Sequence, residues 1–252
     1  MDTPGTTQFL LCVGAGFLAQ LVDGTLGMAY GVTASSLLLS FGMLPGTTSA
    51  TVHAAECFTT GASALSHHAF RNISAVLFRR LLIPGILGAV VGAYILASFP
   101  GDSLKPYIAG YLLLMGAIIV LKAFLQFPPR TVTTHLAPLG FFGALIDALG
   151  GGGWGPIVAS TLIARGHNVR ETVGSVNAVE FFVTVAASVT FVLTLGLTNW
   201  PMIAGLALGG VPAAPLGAWA CKRLPLKPLM VGVGLLVIAL SLRTLLLCFG
   251  VI

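Results

Sequence analysis

The chain is short of charge. Asp, Glu, Lys and Arg together supply 8% of its 252 residues, where a soluble domain carries about 25%. That shortage excludes a water-soluble globular protein. Cysteine is sparse as well: Cys12, Cys57, Cys221 and Cys248 form no CxxC pair, and three of them fall inside or at the ends of apolar runs. They read as structural thiols, which excludes a disulfide framework and a cysteine metal site. The first eight residues hold neither Lys nor Arg. The basic start of a signal peptide is therefore missing, and residues from 9 onward are read as part of the fold. No ligand spacing calls for a metal or a cofactor.

What is present is apolar. Hydrophobic residues make up 56% of the chain and the mean hydropathy is +1.00, so the expected class is an all-α membrane protein. The 32 glycines suit close helix packing and broken helices in lipid. The net charge of +5 sits in short basic clusters between apolar segments, as in cytoplasmic loops. It needs no nucleic-acid partner.

The most informative stretch is Ile146-Asp147-Ala148-Leu149-Gly150-Gly151-Gly152-Gly153-Trp154-Gly155-Pro156, inside the apolar run 136–162. Consecutive glycines do not hold a helix, since each costs about 1 kcal/mol against alanine. Pro156 cannot continue a helix but suits the first turn of a new one. The run is expected to break near its middle and restart at Gly155-Pro156. The break frees backbone N–H groups at membrane depth, which is tolerated only within protein or beside a polar cavity. A helix N-terminus there favours an anion.

The first apolar run, 9–44, is interrupted at Asp23-Gly24-Thr25-Leu26-Gly27-Met28-Ala29-Tyr30-Gly31. Helices are expected at 47–66, 81–99 and 106–125, with a basic loop at 67–80 and a mid-chain boundary at 127–130. After the second broken run, helices are expected at 172–197, 201–221 and 228–252. The chain thus divides into repeats at 1–130 and 131–252. Gly16-Phe17 matches Gly140-Phe141, and Asp23, Gly27, Gly31 and Glu56 match Asp147, Gly151, Gly155 and Glu180, always 124 positions apart. Leu104-Lys105-Pro106 recurs as Leu226-Lys227-Pro228. Such duplication is the common plan of secondary transporters.

Loop charge relates the halves. Loops 67–80, 165–170 and 221–227 are basic, and their partners 198–200, 44–47 and 100–105 are not, or hold one lysine and one acid. Lys/Arg-rich loops are cytoplasmic, so partner loops lie on opposite sides and the repeats are inverted. This requires each broken run to enter and leave on one side, as a hairpin whose two arms of about 12–15 residues each reach near the middle of a core about 30 Å thick. Both termini are then expected outside.

Polar residues inside apolar runs are the candidates for chemistry. Asp23 and Asp147 stand just before the two breaks, either as functional carboxylates or as caps for the loose N–H groups. Ser49, His53, Glu56, Thr60 and Ser63 share one helix face, as do Asn177, Glu180, Thr184 and Ser188. Such a face lines a cavity or joins helices by hydrogen bonds; the costly Glu56 and Glu180 favour the cavity. Tyr30 and Trp154 hold equivalent positions and either close over a ligand or fill space beside the glycines. His67 and His68 read as solvated loop residues, and Arg243 as snorkelling at the far interface.

Gly150-Gly151-Gly152-Gly153-Trp154-Gly155-Pro156, Arg165-Gly166 and Val173-Gly174-Ser175-Val176-Asn177-Ala178-Val179-Glu180-Phe181-Phe182-Val183-Thr184 resemble the TauE/SafE family of sulfite exporters and sulfonate permeases. The first half has the counterparts Asp23-Gly24-Thr25-Leu26-Gly27, Gly46-Thr47-Thr48-Ser49 and Val52-His53-Ala54-Ala55-Glu56, so the likeness covers both repeats. It departs in carrying Leu26, Met28, Ala29 and Val32 where the second half has Gly150, Gly152, Gly153 and Pro156. The resemblance implies transport of sulfite or organosulfonates across the bacterial inner membrane.

The resulting expectation is a secondary transporter, and not an enzyme, whose partners are a small anionic substrate and the lipid bilayer. Gly27, Tyr30, Gly31, His53, Gly151, Gly152, Gly153, Trp154, Gly155 and Asn177 are the candidate substrate contacts. Asp23, Ser49, Glu56, Asp147, Glu180 and Thr184 are the candidate coupling or cavity-lining residues. Four ionised acids would repel an anion, so some are protonated or balanced by a cation, and proton coupling through Glu56 or Glu180 follows as an expectation. A cation-coupled carrier of another small substrate is the nearest alternative. An intramembrane aspartyl protease is a distant one, because Val22 and Ile146 precede the acids and glycines follow them.

Overall fold

A computed structural model describes residues 5–124, 134–196, 199–221 and 226–251, without the side chains of 101, 102, 226 and 229. The boundary at 127–130, together with Lys222 and Arg223 of the last basic loop, lies outside these residues. The described residues form helices α1 (Thr6–Leu26), α2 (Tyr30–Ser40), α3 (Pro45–Ala69), α4 (Ala75–Ser98), α5 (Gly101–Lys122) and α6 (Leu136–Gly150). They continue with α7 (Gly155–Ala164), α8 (Val169–Thr194), α9 (Trp200–Ala220) and α10 (Leu226–Cys248). By length and composition α1, α4, α5, α8, α9 and α10 are apolar enough to cross a membrane. The 25-residue α3 is equally long, but its polar face lowers its hydropathy.

The packing is that of a protein in lipid. Large apolar side chains such as Leu65, Tyr107 and Leu193 face outward, while Gln20, Asp23, His53, Glu56, Asn177 and Glu180 are buried. Helices α1 and α9 run side by side in the same direction, with Gly16 against Leu206 and Gly24 against Gly217. Helices α6 and α4 do the same, with Phe141 on Gly88 and Leu145 on Gly92. Helix α3 packs on α9 as α8 packs on α4, α3 and α8 lie antiparallel along their length, and α5 pairs with α10.

Hydrogen bonds show which segments meet at each end. Ser74 N–H donates to Ser175 Oγ at 2.8 Å. Arg170 binds Asn72 and the Phe70 carbonyl, and Asn72 Nδ2 reaches the Ala218 carbonyl at 3.4 Å. Arg165 Nη1 donates to the Thr134 carbonyl at 3.2 Å, so the second broken run ends where it began. At the other end Gly46 faces Leu195, and Lys105 and Pro106 share a pocket with Leu247 and Cys248. In the first broken run Thr33 lines one cavity with Ala19 and Val22, so α2 folds back along α1.

Several boundaries differ from the sequence reading. The arms are unequal, 21 and 11 residues for α1 and α2, and 15 residues for α6, because the turn follows the glycine and not the midpoint of the apolar run. Helix α4 begins at Ala75, not 81: Leu77 and Leu81 are buried one turn apart, which draws Arg79 and Arg80 into the helix as exposed residues. His67 is no solvated loop residue. It is fully buried in the last turn of α3, and Asn72 Nδ2 lies 3.0 Å from its Nδ1. Arg243 is exposed and donates to the Ser40 carbonyl at the end of α2, where a cation suits the helix C-terminus. No disulfide joins any of the four cysteines.

Candidate functional site

The two breaks are built alike. Helix α1 ends at Gly27 (φ 67°) and α6 at Gly151 (φ 68°), both in the left-handed conformation that glycine adopts without cost. The N–H of Gly27 donates to the Asp23 carbonyl and that of Gly151 to the Asp147 carbonyl. Each acid then caps the arm that follows. Trp154 N–H donates to Asp147 Oδ1 at 2.9 Å, and the Asp23 carboxylate takes the Tyr30 N–H. The capping role proposed for these acids is therefore seen in both halves. The first break lacks glycine at position 29, and Ala29 sits there at φ 114°, a sparsely populated conformation for a residue with a Cβ.

The breaks meet. A Cβ on Gly31 would lie 2.7 Å from Gly152 Cα and 3.1 Å from Glu56 Oε1. One on Gly152 would strike Val32 N and Gly31 C, and one on Gly155 would strike Met28 and the Gly27 carbonyl. Ser35 Oγ donates to the Gly151 carbonyl, and Tyr111 Oη donates to the Gly152 carbonyl at 2.8 Å. Gly153 also lies against the Tyr111 hydroxyl. The tips are thus in backbone contact in this conformation.

The polar stripes of α3 and α8 reach across to the opposite half. His53 of α3 points Nε2 at Asp147 Oδ2, 3.2 Å away, and Nδ1 at the Ser49 carbonyl, 2.8 Å away. Ser49 Oγ donates to the Ala148 carbonyl at 2.7 Å. Asn177, the counterpart of His53 on α8, meets the Asp23 carboxylate, and its Nδ2 lies 3.5 Å from the Asp23 carbonyl. Ser63 Oγ donates to Asn177 Oδ1 at 2.7 Å. Thr60 and Thr184 touch at 3.5 Å where the antiparallel stripes face each other, and Ser188 Oγ meets Cys57 Sγ at 3.3 Å. Asp23 Oδ2 and Glu180 Oε2 are buried without a hydrogen-bond partner among the described residues. The carboxylates of Asp23, Glu56, Asp147 and Glu180 act on one another electrostatically. A cluster of four acids with one imidazole is not stable fully ionised away from water.

Tyr30 anchors to a carbonyl of the other half and Trp154 to one of α8. Both are buried, with Tyr30 Oη donating to the Leu206 carbonyl and Trp154 Nε1 to the Val176 carbonyl, each at 3.2 Å. The sequence reading missed Ser35, Tyr111 and Lys122. The first five residues of α7 form a π-helical turn, Gly155–Ala159, which frees the Pro156 carbonyl to accept from Ser160 Oγ and from Lys122 Nζ at 3.1 Å. A lone lysine and two tyrosines one turn apart, Tyr107 and Tyr111, in the apolar run 106–125 were the available signals. Tyr111→Phe leaves the buried Gly152 carbonyl without its donor. We expect a loss of about 1–2 kcal/mol, read as a lower thermal midpoint in detergent. An unchanged midpoint would mean that another group satisfies that carbonyl.

The chain matches the family described as Sulfite exporter TauE/SafE over residues 12–244. It is 42% identical over 240 residues to "Probable membrane transporter protein YtnM" of Bacillus subtilis (strain 168), covering 91% of this chain and 80% of that protein. It is 26% identical over 264 aligned positions to a "Probable membrane transporter protein" of Haemophilus influenzae (strain ATCC 51907 / DSM 11121 / KW20 / Rd), covering 94% and 98%. No solved structure matches. These relatives are described as transporters and not as enzymes, which sets the protease alternative aside. A multi-pass helical protein with two carboxylate-capped helix breaks, matched to this family over nearly its whole length, is a membrane transporter of the sulfite exporter TauE/SafE family.

Proposed function

We propose that the protein is a secondary transporter that exports a small sulfur oxyanion, sulfite or an organosulfonate, across the bacterial inner membrane. The observation that carries this reading is the meeting of two capped helix breaks at Gly31 and Gly152. Each restarting arm aims its N-terminus at the junction, where three sulfonate oxygens find donors once the tips part. Gly27, Tyr30, Gly31 and His53 would frame the anion from the first half, and Gly151, Gly152, Gly153, Trp154, Gly155 and Asn177 from the second. Asp23, Ser49, Glu56, Asp147, Glu180 and Thr184 line the path. The acids oppose an anion unless protons travel with it, so flux is coupled to protons, through Glu56 or Glu180.

The halves 1–130 and 131–252 are inverted repeats in this reading. Support comes from the pairing of equivalent helices and from the return of α7 to the start of α6. The end carrying Arg71, Arg165 and Arg170 is cytoplasmic, and both termini face outside. Single cysteines replacing Arg71 and Glu171 should be labelled from the cytoplasmic side, and those replacing Met43 and Lys105 from outside. Labelling of Met43 and Glu171 positions from one side would remove the inverted arrangement.

The functional test is a thermal-shift panel of sulfite, sulfate, thiosulfate, taurine and sulfoacetate on purified protein, followed by proteoliposome flux. Stabilisation by sulfite or a sulfonate, with matching flux, is expected. A panel without any shift, together with no flux, would defeat the assignment of substrate.

A further inference from the structure

The two half-sites are alike in backbone but differ in one side chain. His53 and Asn177 occupy equivalent places, 124 positions apart, and each reaches the capping acid of the opposite half. We propose that His53 is a positioning residue that latches the second break through a single shared proton, while Asn177 holds the first break without one. This rests on reading the paired breaks as the transport site.

The hydrogen bonds fix where the proton lies. The Ser49 carbonyl, 2.8 Å from His53 Nδ1, only accepts, and Ser49 Oγ, 3.2 Å from Nδ1, gives its own hydrogen to the Ala148 carbonyl, so Nδ1 carries a hydrogen. His53 Nε2 faces Asp147 Oδ2 at 3.2 Å. One proton must lie between them, either on the imidazole beside a carboxylate or on the carboxyl beside a neutral ring. Without it, a nitrogen lone pair faces a carboxylate oxygen, and the two repel. Asp147 then loses its brace, and its Oδ1 no longer holds the Trp154 N–H that starts α7. In the first half the Asn177 amide donates at any pH, so the Asp23 cap does not respond.

The pair is shielded from water, with His53 and Asp147 0% and 2% exposed. Phe191 of α8 lies against the imidazole, 5.9 Å between ring centroids. The other titratable groups acting on the pair are Glu56 on α3, Asp23 on α1, Glu180 on α8 and Tyr111 on α5. None of these bonds His53 Nε2 or Asp147 Oδ2 among the described hydrogen bonds. The second hairpin is therefore the one whose closure follows proton occupancy.

Trp154 reports on the latch. With the exposed Trp200 and Trp219 replaced by phenylalanine, it is the one remaining tryptophan. Its fluorescence in nanodiscs, followed from pH 4 to 10 without substrate, should show a one-proton transition. His53→Asn copies the first half and should lose the transition. Asp147→Asn is the second variant. Its amide can still accept from Trp154 N–H and donate to Nε2, so the fold is kept while the shared proton is lost; the transition should vanish there too. A transition that survives in either folded variant, or its absence in the parent, would overturn the proposal. Because no substrate is present, failure of the sulfur-anion assignment leaves this result unaffected.

Discussion

Gly152→Val should stop transport, reducing proteoliposome flux by at least about 100-fold. The added Cβ would land on Val32 N and Gly31 C, backbone atoms of the opposite break that cannot turn aside as a side chain would. Overpacking of this kind costs about 1–3 kcal/mol or more. The rest of the fold does not depend on this contact, since α1 on α9 and α4 on α6 carry their own interfaces. The variant is therefore expected to insert and remain folded at a lowered thermal midpoint, with the tips held apart. Gly14→Val is the control: a Cβ there meets nothing within 4 Å, and flux should be unchanged. Normal flux in Gly152→Val would show that the anion passes elsewhere.

Glu180→Gln should separate coupling from binding. Glu180 Oε2 is buried with no hydrogen-bond partner among the described residues, in the field of Asp23, Glu56 and Asp147. A carboxyl so placed serves a proton carrier better than a structural brace. Glutamine keeps the shape and removes the site of protonation, so flux driven by a pH gradient should fall to background. A unit charge about 8 Å from an anion is worth about 2 kcal/mol at an effective dielectric of about 20. Loss of that charge should leave sulfite binding intact or tighten it by up to roughly thirtyfold, measured by calorimetry. The opposite pattern, a lower thermal midpoint with the gradient dependence intact, would mark Glu180 as a structural acceptor and turn attention to Glu56.

The breaks were legible because backbone chemistry writes them plainly. Gly151 and Gly27 terminate their helices where a residue free to take positive φ stands, and Pro156 lies in the first turn of the restart. The spacing of Ser49, His53 and Glu56 placed them on one face, and all three are buried. Partnership was not legible. Helical periodicity says that His53 and Asp147 face inward, but not that α3 of one half reaches α6 of the other. Tyr107, one turn before Tyr111 on α5, faces outward, so the pair of tyrosines marks no buried polar face, and Lys122 has no polar companion one turn before it. The uneven arms were hidden for a similar reason: hydropathy runs through the break, and only the caps record where it falls.

The crosswise caps impose an order on synthesis. Asp23 leaves the ribosome 154 residues before the Asn177 that reaches it. At about 5–20 residues per second, the first break waits roughly 8–30 s for its partner. During that time a carboxylate at membrane depth must be sheltered by water, lipid headgroups or the insertion machinery. The second break has no such delay, since His53 is already in place when Asp147 is made. The nascent first half is thus the vulnerable stage of biogenesis, and its exposure ends only when α8 arrives.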